Sequence, residues 1–348
     1  MHVLVTGGGG FLGRYIVEQL CRRGDSVRVL CRGFYPELEA LGAELVRGDV
    51  TVADDVSAAV ADRDVVFHVA AMVGFWGQYD AFYHTNVGGT RNVIDACIAH
   101  GVRKLVYTSS PSVTMNNRDI VGGDETLGYP DEYLTHYSAT KAEAERLVLA
   151  ANGRNGLMTT AIRPHLILGP RDNHLVPRLL ERAGKGRLRQ IGPGLNKVGI
   201  TYVENAASAH LQAADSDRVG GKAYFINEPE PVLLWPWIND MLKQLGMPPV
   251  RYRAPFALAY FAGFVLEGVH RLLPGLGEPM VTRFLAAELY RNHYFSIRRA
   301  QQDFNYRPLV SFDEAQRRTL EYLRKSLSGA ESKQEPRRFA GKSRENVL

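Results

Sequence analysis

Tyr137 and Lys141 stand four positions apart at the start of a stretch rich in Ala and Glu that reads as a helix, so the two side chains share one face. A phenol with a pKa of about 10 is a poor acid–base group at neutral pH, and a nearby ammonium favours its phenolate form. Ser110 lies 27 residues before the tyrosine and closes the strand-like segment Lys104 to Thr108 together with Ser109. A hydroxyl at a strand end can hold a substrate oxygen. The three groups together suit proton transfer to or from an oxygen that passes between carbonyl and alcohol.

Such a change of oxidation state needs a hydride carrier, and the N-terminus offers a place for one. His2 to Arg14 reads HVLVTGGGGFLGR: a short apolar strand runs into Gly7, Gly10 and Gly13, and a helix pattern begins at once with Phe11 and Leu12. Glycines at this spacing let the backbone turn tightly and approach a pyrophosphate, while the free N–H groups of the helix start face the anion. Tyr15, Ile16 and Leu20 continue the helix, Gly24 stops it, and Ser26 to Leu30 is the second strand of a βαβ unit. About 20 positions beyond the glycines, such a unit places an acid on the ribose 2′-OH of NAD. Here that point reads Leu30-Cys31-Arg32-Gly33, with no acid and with an arginine available for a 2′-phosphate, which favours NADP(H) over NAD(H).

Strands keep alternating with helices. Glu44 to Val46 leads to Gly48-Asp49-Val50, Asp64 to Val69 leads to Ala70-Ala71, and a helix from Tyr79 to His100 precedes the strand Lys104 to Thr108. The fold class is therefore α/β, a Rossmann-type doubly wound parallel sheet. Residues 1–168, with 199–228 returning to them, form the expected dinucleotide-binding domain. Residues 169–198 and 229–325 form a smaller, mostly helical substrate lobe, and the polar, aperiodic end of the chain, 326–348, reads as a disordered tail. In the substrate lobe, Trp235, Trp237, Ile238, Met241 and Leu245 lead into the apolar run 254–273, expected as the lid of an apolar pocket. Arg171, His174 and Arg178 are candidates for holding a substrate carboxylate.

The composition narrows the function classes. A net charge of +5 over 348 residues, much of it in the tail, does not describe a nucleic-acid surface. Three cysteines, Cys21, Cys31 and Cys97, form neither a metal spacing nor an even set for disulfides, and no export signal precedes the first strand, so a cytoplasmic protein is expected. No pair of the ten histidines has zinc-type spacing with a third ligand in reach, so no metal is expected. The longest uncharged run, Ala254 to Leu266, is too short to span a bilayer, though it could be buried or lie at a membrane interface.

These motifs resemble the extended short-chain dehydrogenase/reductases over roughly residues 1–325. The resemblance is carried by Thr6 and the glycine turn, Gly48-Asp49, His68-Val69-Ala70-Ala71, Asn86-Val87-Gly88-Gly89-Thr90, Tyr107-Thr108-Ser109-Ser110, the Tyr137/Lys141 pair and Arg163-Pro164. It implies that Ser110 orients the substrate, Tyr137 donates or accepts the proton, and Lys141 helps to bind the ribose. It also implies that Asp49 contacts adenine, that Val50, Ala70 and Pro164 line the cofactor, and that Asn86 holds sheet and helix together. Two branches are similar. Gly74 to Asp80, Thr108 to Val113 and Gly169 to Arg178 resemble bacterial 2-alkyl-3-oxoalkanoate reductases of olefin biosynthesis. The same half is similar to 3β-hydroxysteroid and sterol-4α-carboxylate 3-dehydrogenases, whose decarboxylating branch carries an acid where Arg32 stands. The first branch implies NADPH-dependent reduction of the 3-oxo group of a long-chain 2-alkyl-3-oxoalkanoic acid. The second implies oxidation of a sterol-like alcohol. A homodimer, assembly with other pathway enzymes and peripheral membrane contact are further expectations. A non-catalytic dinucleotide sensor would lack Tyr137 and Lys141, and both are present.

Overall fold

Strand β1 (His2–Thr6) lies near the middle of a seven-stranded sheet in the computed structural model, which describes residues 1–328. The others are β2 (Ser26–Cys31), β3 (Glu44–Arg47), β4 (Val65–His68), β5 (Lys104–Thr108), β6 (Met158–Pro164) and β7 (Lys222–Ile226). All pairs are parallel, in the order 3-2-1-4-5-6-7. The order reverses at β1, so the crevice beyond the carboxyl ends of β1 and β4 is where such a sheet binds its ligand. The strands are apolar on both faces because helices cover both. Val3 and Val5 pack with Ile16 and Leu20 of helix α1 (Phe11–Arg23) and with Ala206 and Ala207 further along the chain. Leu4 points the other way, into a core with Val93 of α2 (Gly89–Ala99) and Val148 of α3 (His136–Ala150).

The helix expected over Tyr79 to His100 is broken. It runs as Tyr79–Tyr83, a π-helical turn His84–Gly88, and then α2. The turn holds Asn86, whose Oδ1 accepts the Met72 N–H at 2.8 Å and whose Nδ2 donates to Met72 O and to Thr140 Oγ1, both at 3.1 Å. An extra residue in the turn thus aims one amide at the loop after β4 and at α3 together.

The strand expected at Gly199 to Val203 is only Thr201–Tyr202, and helix α4 (Val203–Asp215) starts directly after it. A small four-stranded sheet of Ile120–Gly123, His293–Phe295, Lys197–Val198 and Val232–Leu233 was not expected at all. Its strands are too short to show a period. The tryptophans of the second half do not form a lid. Trp235 is buried and its Nε1 donates to Leu289 O at 3.0 Å, while Trp237 Nε1 donates to Gln316 Oε1 at 3.1 Å, so both tie helices together. The last helix, Phe312–Leu327, extends past the point where the tail was expected to begin; the rest of that tail, 329–348, lies outside the described residues.

Candidate active site

Gly7 turns the chain out of β1 with a φ of +72°, and a Cβ placed there would lie 2.7 Å from Ala70 N. A side chain is excluded twice over, by the left-handed backbone and by the neighbouring loop. At Gly13 an added Cβ would fall 2.3 Å from Gly7 O, so the helix can pack this close to the turn only with glycine there. Gly10 caps α1 without a side-chain bond, no acid stands in the first turn, and Phe11 and Leu12 begin the helix. The N–H groups of this uncapped start are free for an anion, so the cradle fits a pyrophosphate.

Thr6 Oγ1 braces the loop opposite, accepting the N–H groups of Val69 and Ala70 at 3.2 Å. His68 bridges Thr6 and Thr90, with Nδ1 2.7 Å from one hydroxyl and Nε2 3.0 Å from the other. Burial pushes its pKa down to about 3, and the charge of Lys141 adds to the shift. The ring is therefore neutral and structural.

At the end of β2, the Arg32 side chain is 83 % exposed and its Nη1 lies 3.8 Å from Asp49 Oδ2. Asp49 is held by Thr51, whose N–H and Oγ1 both donate to Oδ1 at 2.9 Å. An exposed arginine with one weak partner is free to meet a phosphate. Val50 is buried beside Gly89, and Pro164 ends β6 next to Ile226.

Tyr137 and Lys141 lie in α3, whose N-cap Thr135 accepts the Ser138 N–H at 3.1 Å. Ser110 is just beyond β5 and caps a single 3₁₀ turn, Pro111–Thr114; its Oγ accepts the Ser112 N–H at 3.2 Å. Burial pushes the Tyr137 phenol up to about 12, and a hydrogen bond with Ser110 pulls it back down. Lys141 does not figure in that shift, contrary to the expectation of a phenolate. Its Nζ is committed elsewhere, donating to Thr108 O at 2.5 Å and standing 4.1 Å from the centre of the Tyr107 ring. Burial lowers Lys141 to about 7, and Glu145 opposes the shift.

Glu145, four residues on along the same face, is the residue the sequence reading passed over. Arg163 Nε donates to Glu145 Oε2 at 2.9 Å and Tyr129 Oη donates to Oε1 at 2.6 Å, with the carboxylate fully buried and Arg163 nearly so. Burial would raise the carboxyl, but Arg163 wins and holds it below the usual carboxylate range. The i, i+4, i+8 spacing of Tyr137, Lys141 and Glu145 was the available signal.

The three basic-loop candidates are not brought together as a free cation cluster. Arg171 is bound to Glu18 of α1, with Nη1 donating at 2.5 Å and Nη2 at 3.0 Å, and it stacks 4.0 Å over the Tyr15 ring. Arg178 pairs with Glu278 at 3.5 Å, and His174 precedes a helix, its pKa lowered by burial. Arg171 ties the segment after β6 to α1, sharing the Glu18 carboxylate with Arg14 and Arg22. A cavity does open beside the start of α3, lined by Met115, Asn117, Ile120, Ser138, Phe284 and Arg291. Asn117 Oδ1 and Arg291 Nε are buried there without partners.

Fold, glycine cradle and hydroxyl–ammonium cluster define a Rossmann oxidoreductase of the short-chain dehydrogenase/reductase type. The sequence model of the 3-beta hydroxysteroid dehydrogenase/isomerase family matches residues 4–256, and the chain belongs to that family. It is 47 % identical to a 2-alkyl-3-oxoalkanoate reductase of Stenotrophomonas maltophilia, over 91 % of this chain and 98 % of that one. It is 37 % identical to the mouse sterol-4-alpha-carboxylate 3-dehydrogenase, decarboxylating, over 92 % and 91 %. Among solved structures, gox2253 superposes with a TM-score of 0.74 at 27 % identity, covering 93 % of this chain and 98 % of that one.

Proposed function

We propose that the protein reduces the 3-oxo group of a long-chain 2-alkyl-3-oxoalkanoic acid to a 3-hydroxy group with NADPH, as a step in hydrocarbon formation. The carrying observation is the grouping of Ser110, just beyond β5, with Tyr137 and Lys141 on one face of α3, where Lys141 Nζ donates to Thr108 O at the end of β5 at 2.5 Å. The higher identity to a 2-alkyl-3-oxoalkanoate reductase than to a sterol dehydrogenase supports the substrate class. Residues 1–168 and 199–228 are assigned to the cofactor, and 169–198 and 229–325 to the substrate.

Gly7, Gly10 and Gly13, with Phe11 and Leu12, would hold the pyrophosphate; Arg32, Asp49 and Val50 the adenosine end; Ala70, Lys141 and Pro164 the nicotinamide end. When bound, the cofactor supplies the hydride. Ser110 holds the ketone oxygen, and Tyr137 passes its proton to that oxygen as negative charge develops. Lys141, held by Thr108 O, would donate its remaining N–H groups to the ribose of the bound cofactor and supply positive charge near the developing alkoxide.

The test is turnover by purified protein of a long-chain 2-alkyl-3-oxo acid and of a 3β-hydroxysteroid, each with both nicotinamide cofactors. Reduction of the first with NADPH is the expected result; turnover of the steroid alone overturns the reading in favour of the sterol branch. For the cofactor, Arg32→Ala is expected to raise the NADPH KM by about tenfold, a modest effect because the contact is solvent-exposed, and to leave the NADH KM unchanged. Equal changes in both would remove the 2′-phosphate contact from the account.

A further inference from the structure

The proposed substrate is an acid, and the loop expected to hold its carboxylate does not gather its cations. The cavity beside the start of α3 does. Its walls reach the reacting centre from three sides. Ser138 follows Tyr137 in α3, and Met115 follows the 3₁₀ turn that Ser110 caps. Phe284 has its ring centre 5.2 Å from that of Phe75, in the loop after β4 at the carboxyl edge of the sheet. A molecule whose ketone lies at Tyr137 and Ser110 therefore has this cavity next to it. Met115, Ile120, Leu134 and Phe284 make much of the lining apolar, which suits alkyl chains.

The polar lining is out of keeping with a plain apolar pocket. Arg291 Nε and Asn117 Oδ1 are buried, and among the described residues neither has a hydrogen-bond partner. A guanidinium N–H taken out of water without an acceptor is costly, so a cavity that holds one is suited to a ligand that brings an acceptor. The positive charge is weakly balanced. Asp119 Oδ2 lies 3.9 Å from Arg291 Nη1, and Arg118, also in the lining, is exposed with no ion pair among the described residues. The other titratable groups of the lining do not cancel this charge. His293 is taken up by its neighbours, with Nδ1 2.7 Å from His165 Nε2 and Nε2 2.8 Å from Glu288 O. Burial raises the Glu288 carboxyl, which favours its uncharged form.

Both orphaned groups sit on fixed backbone. The Ile120 N–H donates to Asn292 O and the Asn292 N–H to Asp119 Oδ1, both at 2.7 Å, so the segment 117–120 is laced to 291–293. The Arg291 guanidinium lies 5.0 Å from the ring centre of Phe256 and 5.4 Å from that of Tyr290, two rings stacked 4.3 Å apart. With Asp119 on Nη1, the edge formed by Nε and Nη2 is the one left for a ligand, and that edge meets a carboxylate through both oxygens. Asn117 has a φ of +60°, a left-handed bend that asparagine takes more readily than most residues, and its amide can turn end for end to present Nδ2 as a second donor.

We propose that this cavity receives the carboxylate end of the substrate, with Arg291 as its main ligand and Asn117 as a second donor, so that an acid is selected over a neutral ketone here. That the bound acid is the one reduced rests on the proposed function; the binding of a carboxylate at Arg291 does not.

The test compares a long-chain 2-alkyl-3-oxo acid with its methyl ester, which keeps the ketone and both chains and loses the charge. Wild type is expected to prefer the acid in kcat/KM. Arg291→Met should cut the acid-to-ester ratio by about tenfold or more, chiefly through the KM of the acid. Arg291→Lys should restore part of the preference, because it returns the charge without the planar fork. Asn117→Gly, which tolerates the left-handed backbone, should lower the ratio less than Arg291→Met does. Unchanged thermal midpoints and NADPH affinity would show the variants folded. A second arm needs no turnover: a long-chain 2-alkyl acid without the ketone is expected to raise the thermal midpoint of wild type with NADP⁺ present, and not that of Arg291→Met. An acid-to-ester ratio that Arg291→Met leaves unchanged overturns the proposal, as does a wild type that the ketone-free acid does not stabilise. Inorganic phosphate that stabilises wild type as well as the acid does at equal concentration also overturns it, since the site would then take any anion. Stabilisation by the acid that depends on Arg291, without reduction of the 3-oxo acid, upholds the site and overturns the proposed function instead.

Discussion

Tyr137→Phe is expected to lower turnover by about 10²–10⁴-fold, the usual worth of a positioned general acid, while NADPH still binds with near wild-type affinity. The ring keeps its packing and only the hydroxyl is lost. Burial holds the phenol at about 12, so across the neutral range it carries its proton and is ready to give it to a forming alkoxide. This is the state that reduction needs. The titration to watch is that of Lys141, which burial brings to about 7. Below that pH the ammonium is present and above it is lost, so kcat/KM for ketone reduction is expected to fall as pH rises through about 7. Lys141→Met should flatten that limb at a lower rate overall. A Tyr137→Phe enzyme with wild-type turnover, or a wild-type profile that stays flat to pH 10 or so, would remove the pair from the mechanism.

What was legible in the chain was whatever is set by neighbours in sequence. The glycine turn, α1, β2 and the arginine at its end all lie within one βαβ unit, and Lys104 to Thr108 forms a strand over the expected residues. Tyr137, Lys141 and Ser110 could be picked out because helix periodicity and a strand end both constrain them. Charge pairing over long separations could not be read. Arg171 looked like a substrate ligand because Glu18, its partner, is 153 residues away. The apolar run 254–273 was visible as a helix, but not which side of it faces out. Gly263 decides that, since an added Cβ there would lie 2.6 Å from Arg283 N at the start of the helix Arg283–Glu288, and composition alone favours burying the phenylalanines instead. The shift of Tyr137 depended on where the Lys141 ammonium points, and Thr108 O, at the end of a different element, takes it.

Arg163→Met is expected to destabilise the fold by about 3–5 kcal/mol, because it leaves the Glu145 carboxylate buried without its cation. At about 2.1 cal/mol/K of unfolding entropy per residue, that corresponds to a fall in thermal midpoint of roughly 4–7 °C. Arg163 spans the joint between α3 and β6, giving Nε to Glu145 and lying 4.9 Å from the ring centre of Phe225 on β7. Glu145 in turn takes the Tyr129 hydroxyl, so one carboxylate links the helix of Tyr137, a central strand and the loop before α3. Arg163 holds the Glu145 pKa down, so its contribution to stability is present above the ordinary carboxylate pKa and is lost as pH falls through the lowered one. Arg163→Met should therefore lose most relative to wild type near neutral pH and less in acid. The double variant Glu145→Gln/Arg163→Met removes both charges and is expected to recover a large part of the loss, the coupling a double-mutant cycle reads directly. If thermal melts show the two single variants and the double falling by additive amounts, the pair is not coupled, and the support it gives to the helix carrying Tyr137 and Lys141 must come from packing alone.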